Sequence, residues 1–345
     1  MSAIESRFAL TGPHAFYNRP DYKTTLRNEL GSHLPPVAYT CQRETFSPAG
    51  QQSIFKKVAR YFVGKCVVPA SLIPNFVLDK IRLQLLHDTG FVYKRFSIAC
   101  GNEKIDTLIA GTPETFSQKR WGFFVGGCTE TYEITALVQR KLLLQLRCNG
   151  IFFNYIGLGR SSGSLTKESM AASVRAALEY LEEQQDVEAE EIIFYGYSMG
   201  AAAQALGLKG HLFKPHIECL AVKDRTFDRL DTLFPEPFGK IIRWAGWDMN
   251  VGDSSKSLPI SEVIFQRAFY QEYQEIPTGS DNPFRFDGLI RQQASLGARL
   301  YQEALLHRKY FFSMEQNHFF PARNPEKIAS IVREKLQNLT RQQNT

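Results

Sequence analysis

The sequence predicts an α/β protein with a mainly parallel central sheet and helices on both faces. Two observations carry this. From Phe91 onward, short apolar runs of strand length alternate with longer segments whose apolar residues recur at helical spacing, the order of strand and crossover helix that builds parallel sheets. Of the 345 residues, 43% are hydrophobic and 22% charged, which leaves enough apolar side chain for a sizeable core.

Residues 1–90 read differently from the rest, as an N-terminal extension or cap, with 91–340 as the main domain. The chain is turn-rich to Gly50, continues through Gln52–Val68, and ends in a helix predicted from Asn75 to His87, where Leu78, Ile81 and Leu85 share one face. The runs Phe91–Ala99 and Lys104–Gly111, joined by Gly101-Asn102, read as an antiparallel hairpin. Strands then follow at Trp121–Val125, Gly150–Tyr155, Glu191–Tyr195, Ile217–Val222, Ser261–Phe269 and Lys309–Ser313, with helices at Tyr132–Arg147, Lys167–Leu181 and Arg291–His307. There is no internal repeat.

Lys and Arg number 41 against 35 Asp and Glu, a net charge of +6 with the basic residues scattered. Nucleic-acid binding is therefore not expected. The six cysteines Cys41, Cys66, Cys100, Cys128, Cys148 and Cys219 lack metal-ligand spacing, so free thiols are the default. The opening MSAIESRFALTG has no basic stretch followed by a long apolar one, so the expectation is a cytoplasmic protein, or one exported without a classical signal peptide.

Chemistry concentrates where the β-prone run Glu191–Tyr195 meets Gly196-Tyr197-Ser198-Met199-Gly200 and an Ala-rich helix start, Ala201–Leu208. Strand, GxSxG and helix in that order place a serine on a sharp turn, where larger residues at the glycine positions would collide with neighbouring backbone. The bland alternative is a small-residue turn that lets helix and sheet pack closely. A reactive serine needs a base. Of seven histidines, His318 lies just past the last strand and before the final helix, within reach of the sheet's carboxyl edge. His307 ends a predicted helix and reads as a solvated residue. The base needs a carboxylate: Asp287, between a strand and a helix, is the first choice, and Asp224, after Ile217–Val222, is the rival. Asp281, before Asn-Pro, reads as a turn former. Oxyanion donors would be the main-chain amides of Met199 and, in the loop Val125-Gly126-Gly127-Cys128-Thr129-Glu130, of Cys128. The segment Gly157-Leu158-Gly159-Arg160-Ser161-Ser162-Gly163 lacks the third fingerprint glycine of a dinucleotide loop and reads as structural.

On these residues, the chain from Phe91 onward resembles the α/β-hydrolase superfamily. Asn154-Tyr155, Lys223-Asp224-Arg225-Thr226-Phe227 and Asp287-Gly288-Leu289-Ile290 are similar to motifs of a poorly characterised hydrolase group of intracellular bacteria that includes suspected effectors. The resemblance implies a serine hydrolase acting on a small-molecule or lipid acyl ester or thioester through an acyl-enzyme, with no metal or organic cofactor. It also implies a lid insertion near residues 226–258, where Trp244, Trp247 and Met249 would either roof the pocket or simply pack. Glycine at 126 departs from the histidine common in such loops. The competing reading is an inert or membrane-associated scaffold. For it, the basic amphipathic stretch 54–62 would lie on an anionic bilayer, whereas in a cap helix the same apolar stripe would cover the sheet.

Overall fold

The structure is a computed structural model that describes residues 54–86, 90–183, 189–277, 281–301, 308–319 and 324–343. The turn-rich stretch to Gly50, His87 and the far end of the helix expected to reach His307 lie outside them. The strands are β1 (Val92–Cys100), β2 (Glu103–Gly111), β3 (Arg120–Val125), β4 (Asn149–Phe153), β5 (Glu191–Tyr197), β6 (Glu218–Asp224), β7 (Ser261–Gln266) and β8 (Lys309–Ser313). The helices are α1 (Ile54–Val67), α2 (Asn75–Leu86), α3 (Tyr132–Leu146), α4 (Lys167–Glu183), α5 (Met199–Leu208), α6 (Glu236–Trp244), α7 (Val251–Lys256), α8 (Leu296–Tyr301) and α9 (Pro325–Gln343).

All eight strands share one sheet in the order β1-β2-β4-β3-β5-β6-β7-β8. The β1–β2 hairpin turns over Gly101 and Asn102, β2 pairs antiparallel with β4, and every later pairing is parallel. Alternation along each strand divides the core in two. Phe123, Ile151 and Phe194 pack with α4 and α5, whereas Phe124, Phe152 and Tyr195 pack with α3 and α9. Both layers are built on aromatic contacts across strands, such as Phe123–Phe194 at 5.3 Å and the stacked Phe124–Phe152 pair at 4.8 Å.

Several expectations shift at their edges, β4 ending at Phe153 instead of Tyr155 among them. The helix expected over Arg291–His307 is a 3₁₀ turn, Gln292–Ala294, followed by α8. Ser295 breaks it, because its backbone is extended and its hydroxyl accepts from the Ala298 amide at 3.1 Å, capping a new helix. Strand β7 ends at Gln266 instead of Phe269, as Ala268 leaves to bridge Phe284. Strand β6 runs past Val222 through Lys223, whose ammonium is 2.5 Å from the buried Glu262 carboxylate on β7. A charged residue is accommodated inside the sheet because its counterion is there too.

Helices α1 and α2 are docked, not loose. Arg82 of α2, only 3% exposed, donates to Tyr132 Oη at 3.1 Å and pairs with Glu133 and Asp106. Removing one side of a buried ion pair leaves the other charge without compensation and costs about 3–5 kcal/mol. Because Arg95 also holds Asp106, at 2.7 Å, Arg82→Met is expected near the lower end, about 3 kcal/mol by urea denaturation. A loss under about 1 kcal/mol would show that this network does not hold α2.

Candidate active site

The turn between β5 and α5 decides where the Ser198 hydroxyl sits. Ser198 has φ +51° and ψ −116°, a backbone conformation unfavourable for any residue with a side chain. The flanking glycines permit it. A Cβ at Gly196 would lie 2.6 Å from Ala201 Cα, and one at Gly200 would lie 2.0 Å from the Val125 carbonyl oxygen on β3. The turn is tied from outside as well: the Ser198 amide donates to Asp224 O at 2.9 Å, and Thr226 Oγ1 donates to Ser198 O at 2.8 Å.

His318, in the loop after β8, points its ring between the two candidate partners. Its Nε2 is 2.9 Å from Ser198 Oγ and its Nδ1 is 3.0 Å from Asp287 Oδ2. The other carboxylate oxygen of Asp287 accepts from the amides of Leu289 at 3.0 Å and Ile290 at 2.7 Å, which fixes its plane. The main chain repeats the link, as the His318 amide donates to Asp287 O at 2.6 Å. Ser198, His318 and Asp287 are all buried, at 5%, 3% and 0% exposure.

Asp224 makes no such contact. Its carboxylate accepts from Tyr195 Oη at 2.7 Å and from Arg225 Nε at 2.6 Å. Arg225 is itself fully buried, with φ +46°, and donates from Nη1 to the Asn317 carbonyl at 2.8 Å while its guanidinium lies 5.1 Å from the Tyr197 ring centre. Tyr197 stacks on the His318 ring at 5.5 Å and donates its hydroxyl to the His318 carbonyl. Residues 317 and 318 are thus held from β5 and β6 through main-chain oxygens. Sequence reading gave neither Tyr197 nor Arg225 a role, although both stand in motifs it quoted.

The loop after β3 lies beside the turn because Val125 pairs in register with Gly196. The Gly127 amide donates to Glu130 Oε2 at 2.9 Å, Cys128 O accepts from the Ala70 amide at 3.1 Å, and Gly126 O accepts from Tyr155 Oη at 3.1 Å. Burial raises the Glu130 carboxyl, only partly offset by the Gly127 amide and the Thr135 hydroxyl that bond it. Met199 opens α5, where the first amides have no partner within the helix. Burial also raises the Cys128 thiol, so it is protonated at neutral pH.

The glycine-rich stretch at 157–163 is taken up by structural bonds: Ser161 Oγ donates to Asn154 O and accepts from the Asp106 amide, and Arg160 pairs with Asp79. Within 226–258, Trp247 and Met249 are fully buried in the core and Trp247 Nε1 donates to Arg60 O at 3.1 Å, whereas Trp244 is exposed. His211 pairs with Glu182, apart from Ser198 and its partners. Among the described residues, no group of three or more His, Cys, Asp or Glu is placed to hold a metal ion, and no helix is long and apolar enough to cross a membrane.

The fold is that of the α/β hydrolases. An α/β hydrolase from Vibrio vulnificus superposes with a TM-score of 0.58 over 82% of this chain and 94% of its own, at 14% identity. The esterase Pf2001 of Pyrococcus furiosus gives 0.53 over 72% and 91%, at 18% identity. Among curated proteins, the α/β hydrolase domain-containing protein WAV2 of Arabidopsis thaliana is 26% identical over 125 residues, 36% of this chain. An uncharacterized protein of Mycobacterium tuberculosis, Rv2307c, is 41% identical over 58 residues. This chain spans only 38% of the first and 20% of the second. The sequence model of the family described as Chlamydia CHLPS protein (DUF818) matches residues 51–282, through the Ser198 turn and Arg225 and ending before Asp287. By that match, over most of its length, the chain belongs to the Chlamydia CHLPS protein (DUF818) family.

Proposed function

We propose that this protein is a serine hydrolase that cleaves an acyl ester or thioester through Ser198, His318 and Asp287. The observation that carries the reading is the buried relay of 2.9 and 3.0 Å that joins Ser198 Oγ, the two ring nitrogens of His318 and Asp287 Oδ2. Three separate loops at one sheet edge meet there, and the serine is held at φ +51° to meet them. In this reading His318 Nε2 takes the Ser198 proton as Oγ attacks the acyl carbon. Asp287 holds the imidazole with its Nδ1 proton inward and balances the imidazolium that forms. The developing oxyanion sits against the main-chain amides of Met199 and Cys128. His318 then returns the proton to the leaving alcohol or thiol. A water activated by the same histidine releases the acid and restores Ser198.

The surroundings favour an apolar acyl group. Phe286 and Leu289 flank Asp287, Phe319 follows His318, and all three are exposed. The reading as an inert scaffold has no such support, because nothing in a binding role requires a strained serine aligned with a paired histidine.

A fluorophosphonate probe is expected to label Ser198, and Ser198→Ala to abolish labelling; undiminished labelling of that variant would remove the proposed nucleophile. The two aspartates separate by different readouts. Asp287→Asn should lose about four orders of magnitude in turnover on a short-chain nitrophenyl ester with its circular dichroism unchanged, since the histidine takes the wrong tautomer. Asp224→Asn should instead lose about 3 kcal/mol of stability by leaving Arg225 buried without its counterion, with turnover of the folded fraction reduced about tenfold or less. The reverse pattern would make Asp224 the acid. In iodoacetamide mapping at pH 7 the exposed Cys66 should be alkylated and Cys128 spared, and Cys128→Ala should keep wild-type labelling by the probe; a reactive Cys128 would contradict a purely main-chain role.

A further inference from the structure

The apolar stripe of α1 does not cover the sheet. The helix turns Gly64 and Val67 inward, and a Cβ at Gly64 would lie 2.7 Å from the Trp247 ring. On the outside, Phe55 is 82% exposed, Phe62 63%, Tyr61 57% and Val58 48%. The next helix along this surface repeats the pattern. On α6, Gly239 and Ile242 are buried while Phe238, Ile241 and Trp244, at helical spacing, are exposed at 60%, 48% and 52%. The segment just past α6 meets α1, where Trp247 Nε1 donates to Arg60 O and Gly246 lies against the Arg60 guanidinium.

Seven large apolar side chains on these two helices are thus exposed, and exposed apolar residues gathered on one surface mark an interaction site. The charges around them are predominantly basic. All four charged residues of α1, Lys56, Lys57, Arg60 and Lys65, are basic. Together with Glu236–Asp248, the two segments carry six cations against two carboxylates. Arg60 is paired with Glu168, Arg243 with Asp231, Lys240 with Glu236 and Asp248 with Lys167, and the exposed Lys57 keeps the outer face net positive. A second copy of this face would meet like charge, whereas an aromatic stripe edged with lysine matches the headgroup region of an anionic membrane.

We propose that α1 and α6 form a surface that docks on an anionic lipid bilayer, with Phe55, Phe62, Phe238 and Trp244 entering the headgroup region and Lys57 facing lipid phosphates and carboxylates. The docking is independent of the chemistry at Ser198, so it is tested in the full chain carrying Ser198→Ala. The probes are phosphatidylcholine vesicles with and without 30% phosphatidylserine, at low and high salt, read by co-sedimentation and tryptophan emission. Trp121 and Trp247 are buried, so of the three tryptophans only Trp244 is exposed to report an environmental change.

The expected result is binding to the phosphatidylserine vesicles with a blue shift, weakened at least tenfold on pure phosphatidylcholine or in high salt. Phe62→Glu combined with Phe238→Glu should weaken it at least tenfold. Both sites are exposed, so probe labelling of these variants with Ser198 restored should equal wild type. Three results would overturn the proposal: no binding to anionic vesicles, equal binding by the double variant, or a solution dimer in light scattering that the double variant dissolves. Loss of esterase activity on its own would bear on Ser198 and not on this surface.

Discussion

The separation between α5 and β3 sets the geometry of the whole upper edge of the sheet. Gly200 lies so close to Val125 that no side chain fits between them, and only a chain reversing within one residue can start a helix there. Ser198 takes the consequence in its φ of +51°. Such strain costs roughly 1–3 kcal/mol and persists only where surrounding bonds over-determine it. Here they do, since the amide of Ser198 is anchored to β6 and its carbonyl receives both Thr226 and the first turn of α5. The hydroxyl is therefore lifted clear of the sheet by packing beneath it, and no loop closure is needed to present it.

The histidine is placed by a different device. His318 follows a strand at the edge of the sheet, and a loop there would ordinarily be the most mobile part of such a site. Arg225 and Tyr197 remove that freedom by reaching from the two interior strands to successive carbonyls. Asp224 neutralises Arg225, and Tyr195 donates to Asp224. The carboxylate that rivals Asp287 in the sequence instead pairs with the cation that holds the carbonyl before His318.

This explains which parts of the site were legible in the sequence. The serine was visible because glycine at two fixed positions is a steric requirement of the turn, and the histidine because only His318 follows the last strand. The choice between Asp224 and Asp287 was not decidable from order along the chain, since Asp224 ends β6 and Asp287 lies in the long connection after β7. It turns on the direction of the Arg225 side chain, which depends on a left-handed backbone that sequence does not display. Among the elements, the strand cores were legible and the ends misjudged: β6 was stopped short of Lys223, whose charge is met inside the sheet by Glu262, and β7 was carried past Gln266 into the stretch that bridges Phe284. The stripe on α1 was read correctly as amphipathic, but periodicity alone does not say which face turns inward. Gly64 and Trp247 decide that.

The hydrogen bonds of the tether on the histidine loop grip carbonyl oxygens, while the Tyr197 ring also stacks on the imidazole. Any residue offers the same oxygen, so the hold on positions 317 and 318 is indifferent to what stands at 317. The burden of identity falls on Tyr197, Asp224 and Arg225, all on the interior strands or immediately beyond them. A substitution at 317 would thus leave both of these hydrogen bonds in place around a fixed imidazole, whereas one at Tyr197 or Arg225 would remove one of them.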